Sequence, residues 1–351
     1  MNEILDYAAS GVNIAEGDRA VEGIKAIVGA TAVPQVLSSI GGFGGLFELG
    51  ADEFKEPVLV SSTDGVGTKA YLAALAKRYS SIGIDLVAMC VDDIAVLGAK
   101  PLFLLDYLSV GQLDAAIATE IVSGVASGAK SCGASLLGGE MAEHPGSMPP
   151  GHFDLAGFVV GIVEKSEIWG PHRVCAGDLV VGIDSPNMRS NGYSLARRAI
   201  FGSRCEPGAS QSEITEALDI GRGPGSVDSV TLFDELLEPS VLYSPVLAGL
   251  GGRIPVHAAA HITGGGLEAN LARVIPTGLR ARIDKGTWVV PSIFELIQRR
   301  GSISDEEMSK VFNMGIGMTL VLDGSFVSEV IEILASFGRR GYVIGEVERD
   351  A

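Results

Sequence analysis

Three shortages in this 351-residue chain each remove a class of protein. Its four cysteines, Cys90, Cys132, Cys175 and Cys205, are widely spaced and form no Cys-x-x-Cys pair. That spacing offers no structural zinc site, and disulfide frameworks belong to shorter secreted domains. The thiols therefore read as reduced and mostly buried. Aromatic residues make up only 6%, so the core has to be built from Ala, Val, Leu and Ile. Basic residues are outnumbered 26 to 43 by acidic ones, for a formal charge of −17. Without a Lys/Arg cluster to displace phosphate counterions, nucleic acid is not an expected partner, and an anionic membrane surface is disfavoured as well. A long uninterrupted apolar run is also missing. The longest tract, residues 86–110, is broken by Asp92, Asp93, Lys100 and Asp106, and residues 1–11 contain no signal-peptide core. The expectation is a soluble cytoplasmic protein.

What the chain has in quantity is glycine, 47 residues, and apolar side chains, 47%. A mean hydropathy of +0.33 without a membrane span implies that another subunit covers part of the apolar surface. The length predicts two domains. Charges, Gly170 and Pro171 break the apolar rhythm between 164 and 177, which places the boundary at 168/169. Short apolar runs predict strands at 57–61, 101–106, 132–137, 155–163, 178–183, 280–283, 318–322 and 342–346. Ala/Leu-rich stretches predict helices over 68–78, 84–97, 117–130, 192–201, 267–274 and 293–300. Segment 202–229, rich in Gly, Ser and Pro, reads as an exposed loop with a short helix. The whole is an α+β chain of two similar halves.

The sharpest local signal is Ser62-Thr-Asp64-Gly65-Val-Gly67-Thr68-Lys69, between a buried strand and an Ala-rich helix. Its glycines allow close backbone approach, free N–H groups face outward at the helix start, and Lys69 adds a cation. Asp64 suits phosphate only with a metal between them. The spacing is not that of a Walker A loop, and a capped strand–turn–helix would explain the segment if it stood alone. Asp85, Asp92 and Asp93 lie in one apolar helix; at ~100° per residue Asp85 and Asp92 share a face and Asp93 turns to the next. Such carboxylates are costly unless paired, metal-bound or facing solvent. Gly138-Gly139-Glu140 predicts a sharp turn pushing Glu140 into a cleft, with a plain turn as the alternative. Gly41-Gly42-Phe43-Gly44-Gly45 fits a dinucleotide fingerprint poorly but suits a loop over a nucleotide. His257 and His261, four apart, would share a helical face, yet a third ligand at zinc spacing is missing. Thr263-Gly264-Gly265-Gly266 before a helix suits a phosphate, and Ser190-Asn191 opens another helix.

Taken in order, the glycine run 41–45, Thr63 to Lys69, Gly83 to Asp93, Pro101 to Tyr107, Gly138-Gly-Glu140, Asp154 to Phe158, Ser190 to Leu195, His261 to Gly266 and Phe312 to Met318 resemble the aminoimidazole ribonucleotide synthetase (phosphoribosylformylglycinamidine cyclo-ligase) family. The resemblance spans about residues 7–346. It implies a homodimer in which the N-terminal sheets of two subunits form a shared barrel, with ATP and Mg²⁺ as cofactors and formylglycinamidine ribonucleotide as substrate. In the implied reaction ATP phosphorylates the formyl oxygen, and a substrate nitrogen then closes the imidazole ring and expels phosphate. On these motifs Asp64, Asp93 and Glu140 would organise the metal and phosphates. Lys69 would hold the ATP phosphates, with Lys25, Gly42, Phe43, Gly44, Gly65, Gly67 and Thr68 near the nucleotide. Ser190, Asn191, Thr263, Gly264, Gly265 and Gly266 would hold the substrate phosphate, and His261 would polarise substrate or move a proton. Two positions depart from the family pattern: Arg189 stands where His is common, and Met141 where Thr is common. Arg cannot act as a general base at neutral pH, so a binding role is expected there. The alternatives are a small-molecule kinase of the same fold and a nucleotide-binding regulatory protein without catalysis.

Overall fold

Helix α1 (Ile14–Gly29) starts where the Asn13 side chain accepts the Glu16 N–H, satisfying one of the free donors of the first turn. The computed structural model that follows describes residues 13–40, 44–50, 54–206, 208–227 and 230–350. After α1 come β1 (Pro57–Gly65), α2 (Lys69–Ala76), α3 (Ser80–Ala95), β2 (Lys100–Val110), α4 (Ala115–Ser131), β3 (Ser135–Glu143) and β4 (Phe153–Glu164). Two single-turn 3₁₀ segments lead to β5 (Leu179–Asp184), α5 (Tyr193–Phe201), α6 (Gln211–Arg222), α7 (Leu232–Leu236), α8 (Ser244–Leu250), β6 (Ala258–His261) and α9 (Gly266–Ala272). The chain ends with β7 (Leu279–Ile283), α10 (Ser292–Gly301), α11 (Asp305–Val311), β8 (Ile316–Leu322), α12 (Val327–Ser336) and β9 (Gly341–Arg349).

The strands form two sheets, β1-β4-β2-β3 and β6-β8-β5-β9-β7. In the first, only β2 and β3 run parallel, joined through α4. Alternation along its strands separates two faces. One face packs on α3 and α4 through Leu86, Cys90, Leu104, Leu108, Val125 and Val159, all buried. The other is bare: Leu59 is 58% exposed and Tyr107 and Phe158 each 41%. The second sheet is covered by α8 and α12 on one side, through Leu247, Leu250, Ile333 and Leu334, and by α9 on the other. Helices α5, α6, α7 and α10 extend the core of the first sheet rather than the second, because Tyr193, Phe201, Phe233 and Phe294 share one apolar cluster with α2 and α3. Among the described residues no helix is long and apolar enough to cross a membrane.

Three local expectations are overturned. Residues Gly138 to Glu140 do not turn; they continue β3 beside β2. Gly139 is required for close approach, since a Cβ there would lie 1.8 Å from Asp106 Oδ1. Residues 258–261 are strand, and His257 bonds Asp178 at 2.7 Å, so the two histidines share no helical face. Only two thiols are buried, Cys90 and Cys205; Cys175 is exposed.

Candidate active site

Strand β1 carries the Asp-Gly segment to its last turn of pleat, so Asp64 projects from a strand end toward the junction of the two sheets. Its carboxylate accepts the Gly65 N–H at 2.7 Å. Burial raises the Asp64 carboxyl above its usual range; the Gly65 bond opposes that, while neighbouring Asp93 adds to it and His261 relieves it. Asp93 comes from α3. It accepts Ser62 Oγ at 3.0 Å and His261 Nδ1 at 2.8 Å. Burial would raise Asp93 too, but the hydrogen bond and charge of His261, with Ser62 and Arg273, outweigh it and hold the group below the usual carboxylate range. His261 ends β6 and is 5% exposed, and its Nε2 has no partner. The structure thus brings Asp64, Asp93 and His261 from three distant stretches into one cleft. Ser62, which opens the Ser62-to-Lys69 segment, belongs to it as well, as does Arg273, which no sequence signal singles out.

Two loops of the second half flank this group. Ser190 Oγ donates to Val66 O at 3.1 Å, Asn191 Nδ2 lies 3.5 Å from Met89 Sδ, and Ser194 Oγ bonds Thr68 Oγ1 at 3.0 Å. The 65–68 segment, with Gly67 at φ +57°, is thereby tied to residues 190–194. On the other side Asn270 Nδ2 donates to the carbonyls of Thr263, Gly264 and Gly266 and pins the glycine loop. Gly266 is needed there, because a Cβ would lie 1.9 Å from Ser309 O. Gly264 has open space around it.

Lys69 is a correction. It is completely buried, with Nζ 2.7 Å from Asp85 Oδ2, and it donates to Arg189 O at 3.1 Å and Glu238 O at 2.9 Å. An ammonium so engaged does not reach an open cleft, so it cannot cradle phosphates. The expected binding role of Arg189 fails for the same reason. This side chain, also fully buried, pairs with Asp92 at 2.5 Å, donates to Val241 O and lies 4.7 Å over the Tyr243 ring. Asp85 in turn accepts Ser240 N and Oγ at 2.8 and 2.5 Å, and Asp92 accepts Tyr243 N and Ser244 N at 2.9 Å each. Burial pushes both carboxyls up and Lys69 down, with the paired charges opposing. Two dry ion pairs therefore staple α3 to the 238–244 segment, one of them at the start of α8.

Glu140 is the second correction. It sits opposite Tyr107 on the bare sheet face, on the edge strand remote from β1. Three strand spacings, roughly 14 Å, separate the outer strands. Among the described residues no three acidic, His or Cys side chains gather as a metal cluster, so the expected carboxylate trio is not assembled within one chain. Lys25 lies on the exposed side of α1, paired with Glu22 at 2.5 Å. Gly44 is exposed, and Gly42 and Phe43 lie outside the described residues.

A second hollow lies at that remote edge, about 170 Å³, lined by Ile24 and Val28 of α1, Ile40, Leu136, Gly138 and Met141. Asp106 stands at its base. Burial raises this carboxyl to about 7, and its Oδ2 has no partner. Sequence reading had Asp106 only as part of a strand motif.

Residues 52–163 match the profile of the AIR synthase related proteins, N-terminal domain, and residues 176–351 that of the C-terminal domain. Phosphoribosylformylglycinamidine cyclo-ligases of Anaeromyxobacter sp. (strain Fw109-5) and Geobacillus kaustophilus are each 44% identical to the chain, with 98% of it and 96% of each relative covered. Among solved structures, a hydrogenase maturation protein in complex with ATP superposes with TM-score 0.64 at 15% identity, over 97% of this chain and 88% of that one. Thiamine-monophosphate kinase from Stenotrophomonas maltophilia does so with TM-score 0.60 at 16% identity, over 93% and 94%. These two show a common fold. The full-length identity shows more: the chain belongs to the phosphoribosylformylglycinamidine cyclo-ligase family, within the AIR synthase related proteins.

Proposed function

We propose that the chain catalyses ATP-dependent closure of formylglycinamidine ribonucleotide to aminoimidazole ribonucleotide, releasing ADP and phosphate. The observation that carries the reading is the convergence of Asp64, Asp93 and a His261 whose Nε2 is buried and unpartnered. Two neighbouring carboxylates that repel one another suit Mg²⁺, which is held by one or two carboxylates together with phosphate oxygens. Bound there, the ion would neutralise charge on the transferring phosphoryl group. In its neutral form, with Nδ1–H toward Asp93, His261 would present a lone pair at Nε2. It takes the proton released as the substrate nitrogen attacks the activated carbon, while the phosphorylated oxygen leaves as phosphate. Thr263 to Gly266, with Ser190 and Asn191, form the wall for the ribose phosphate. The substrate-binding half begins at residue 169.

The nucleotide is assigned to the hollow over Asp106. Aliphatic side chains of α1 and β3 would sandwich adenine, and the Asp106 carboxyl meets its polar edge. Lys25 belongs to the same helix α1, and Gly45 packs closely against Leu137 of β3. Within one chain that hollow and the Asp64/Asp93 pair occupy opposite edges of the sheet, so a single subunit is incomplete. A homodimer resolves this. When two four-stranded sheets close into a barrel about a two-fold axis along it, the β3 edge of one subunit meets the β1 edge of its partner. The bare face carrying Leu59, Tyr107 and Phe158 becomes the barrel lining.

The test is complementation. Asp106→Ala and Asp93→Asn homodimers are each expected to be inactive in forming aminoimidazole ribonucleotide and ADP. Mixed after mild dissociation, they should regain activity, because each heterodimer holds one intact site. Inactive mixtures with proven heterodimers would refute the shared site. Full turnover by Asp93→Asn alone would remove the catalytic assignment.

A further inference from the structure

A third cavity, of about 390 Å³, lies between the two halves, away from both hollows described above. It is within the range of small-molecule sites, which favour domain junctions. Tyr71 and Leu75 of α2 form one wall, His152 and Phe153 at the start of β4 a second, and Ile214 and Leu218 of α6 a third. The aromatic groups are held in place before any ligand arrives. Tyr71 meets His152 edge-on at 5.2 Å, and the Arg197 guanidinium lies 4.6 Å over the Tyr71 ring. Arg197 is itself 3% exposed, donates to Cys205 O, and has a buried Nε with no partner. Burial lowers the His152 pKa, so at neutral pH its ring is uncharged.

The polar groups sit at the rim. Lys77 ends α2 in a left-handed conformation, φ +53°, and its exposed ammonium makes no ion pair among the described residues. Arg204 stands across the opening, bonded to Glu216 at 2.6 Å. Glu206 completes the lining, 3.5 Å from Arg197. Neutral aromatic walls favour a flat ring, rim cations favour an anion attached to it, and a carboxylate near Arg197 matches adjacent N–H donors on a ring edge. We infer that this cavity binds a nucleoside monophosphate, with a guanine-type base packed between the Tyr71–His152 pair on one side and Ile214 and Leu218 on the other, and its phosphate at Lys77 and Arg204. The proposal does not depend on the catalytic assignment.

The experiment is calorimetric titration of the full chain with GMP while a non-hydrolysable ATP analogue saturates the nucleotide site. GMP is expected to bind, and Lys77→Glu, an exposed change that leaves folding intact, to weaken it about tenfold, the loss of one charge-assisted contact. Tyr71→Phe should bind as the unaltered chain does. Ring closure without GMP should be unchanged in Lys77→Glu. Absence of GMP binding, its abolition by the ATP analogue, or equal affinity in Lys77→Glu would each overturn the proposal.

Discussion

Replacing Arg189 by Met tests the idea that this residue is a staple and takes no part in binding. The substitution removes the cation facing Asp92 and leaves a carboxylate that is 0% exposed, held only by the N–H groups of Tyr243 and Ser244. Breaking a buried pair from one side costs ~3–5 kcal/mol. Val241 O loses its donor and Tyr243 its cation, while the strained backbone at 189, φ +62°, is common to both side chains and cancels. With an unfolding entropy of ~2.1 cal/mol/K per residue, a 351-residue chain has ~0.7 kcal/mol/K. The melting temperature should therefore fall by about 4–7 °C if the chain unfolds as one unit. Burial favours the protonated form of the orphaned Asp92 carboxyl, so the folded variant binds a proton that the unfolded chain releases above its ordinary pKa. The variant should therefore lose further stability as pH rises past that value. Adding Asp92→Asn removes the stranded charge and should recover part of the loss. Calorimetric melts of both single variants and the double variant form the cycle. A single variant within ~1 kcal/mol of the unaltered chain, or a double variant no better than Arg189→Met alone, would show that Arg189 does not stabilise the fold by neutralising Asp92.

Three further outcomes are expected. Asp106→Asn should flatten a pH slope. The folded carboxyl at about 7 keeps a proton that the unfolded chain releases near pH ~4, so between these values stability of the unaltered chain falls with pH by up to roughly 4 kcal/mol relative to the variant. Denaturant titrations at several pH values measure it, and parallel slopes would contradict it. Gly139→Ala should destabilise by ~1–3 kcal/mol and weaken ATP binding, because the methyl group would meet Asp106 Oδ1 at 1.8 Å and its carbonyl oxygen at 2.6 Å. Leu59→Asp with Phe158→Asp should yield a folded monomer in sedimentation and abolish turnover; a persisting dimer would contradict the barrel.

The sheets were legible because their strands are apolar runs between clear breaks: the expected 57–61, 101–106 and 318–322 lie inside β1, β2 and β8. Helix α6 sat in a segment read as an exposed loop with a short helix, although Ser210 and Glu213 form a capping box whose spacing marks a helix start. Helices α7, α8 and α11 are five to seven residues long, too short for a periodic signal, and their packing partners come from far along the chain. Asp64, Asp93 and His261 stood out through the family resemblance, since their residue types alone left a capped turn, a solvent-facing stripe and a helical histidine pair open. Lys69 misled because glycines before a lysine suggest phosphate, and nothing local reveals that Asp85 lies one turn of fold away. Glu140 misled because a Gly-Gly pair signals a turn, whereas here the close approach of Asp106 demands it. Asp106 itself went unmarked, since a carboxylate within an apolar strand acquires meaning only once its burial is known.

Asp92 and Asp93 are neighbours, yet one is sealed in the interior and the other opens onto the cleft. A single residue of helical phase, about 100°, separates these fates. Gaining one residue between the start of α3 and Asp92 would turn Asp92 toward His261 and leave Arg189 facing Val91, whereas losing one would turn Asp93 toward Arg189 and leave His261 facing Ile94. The length of α3 up to Asp92 therefore bears on this site more directly than its composition does.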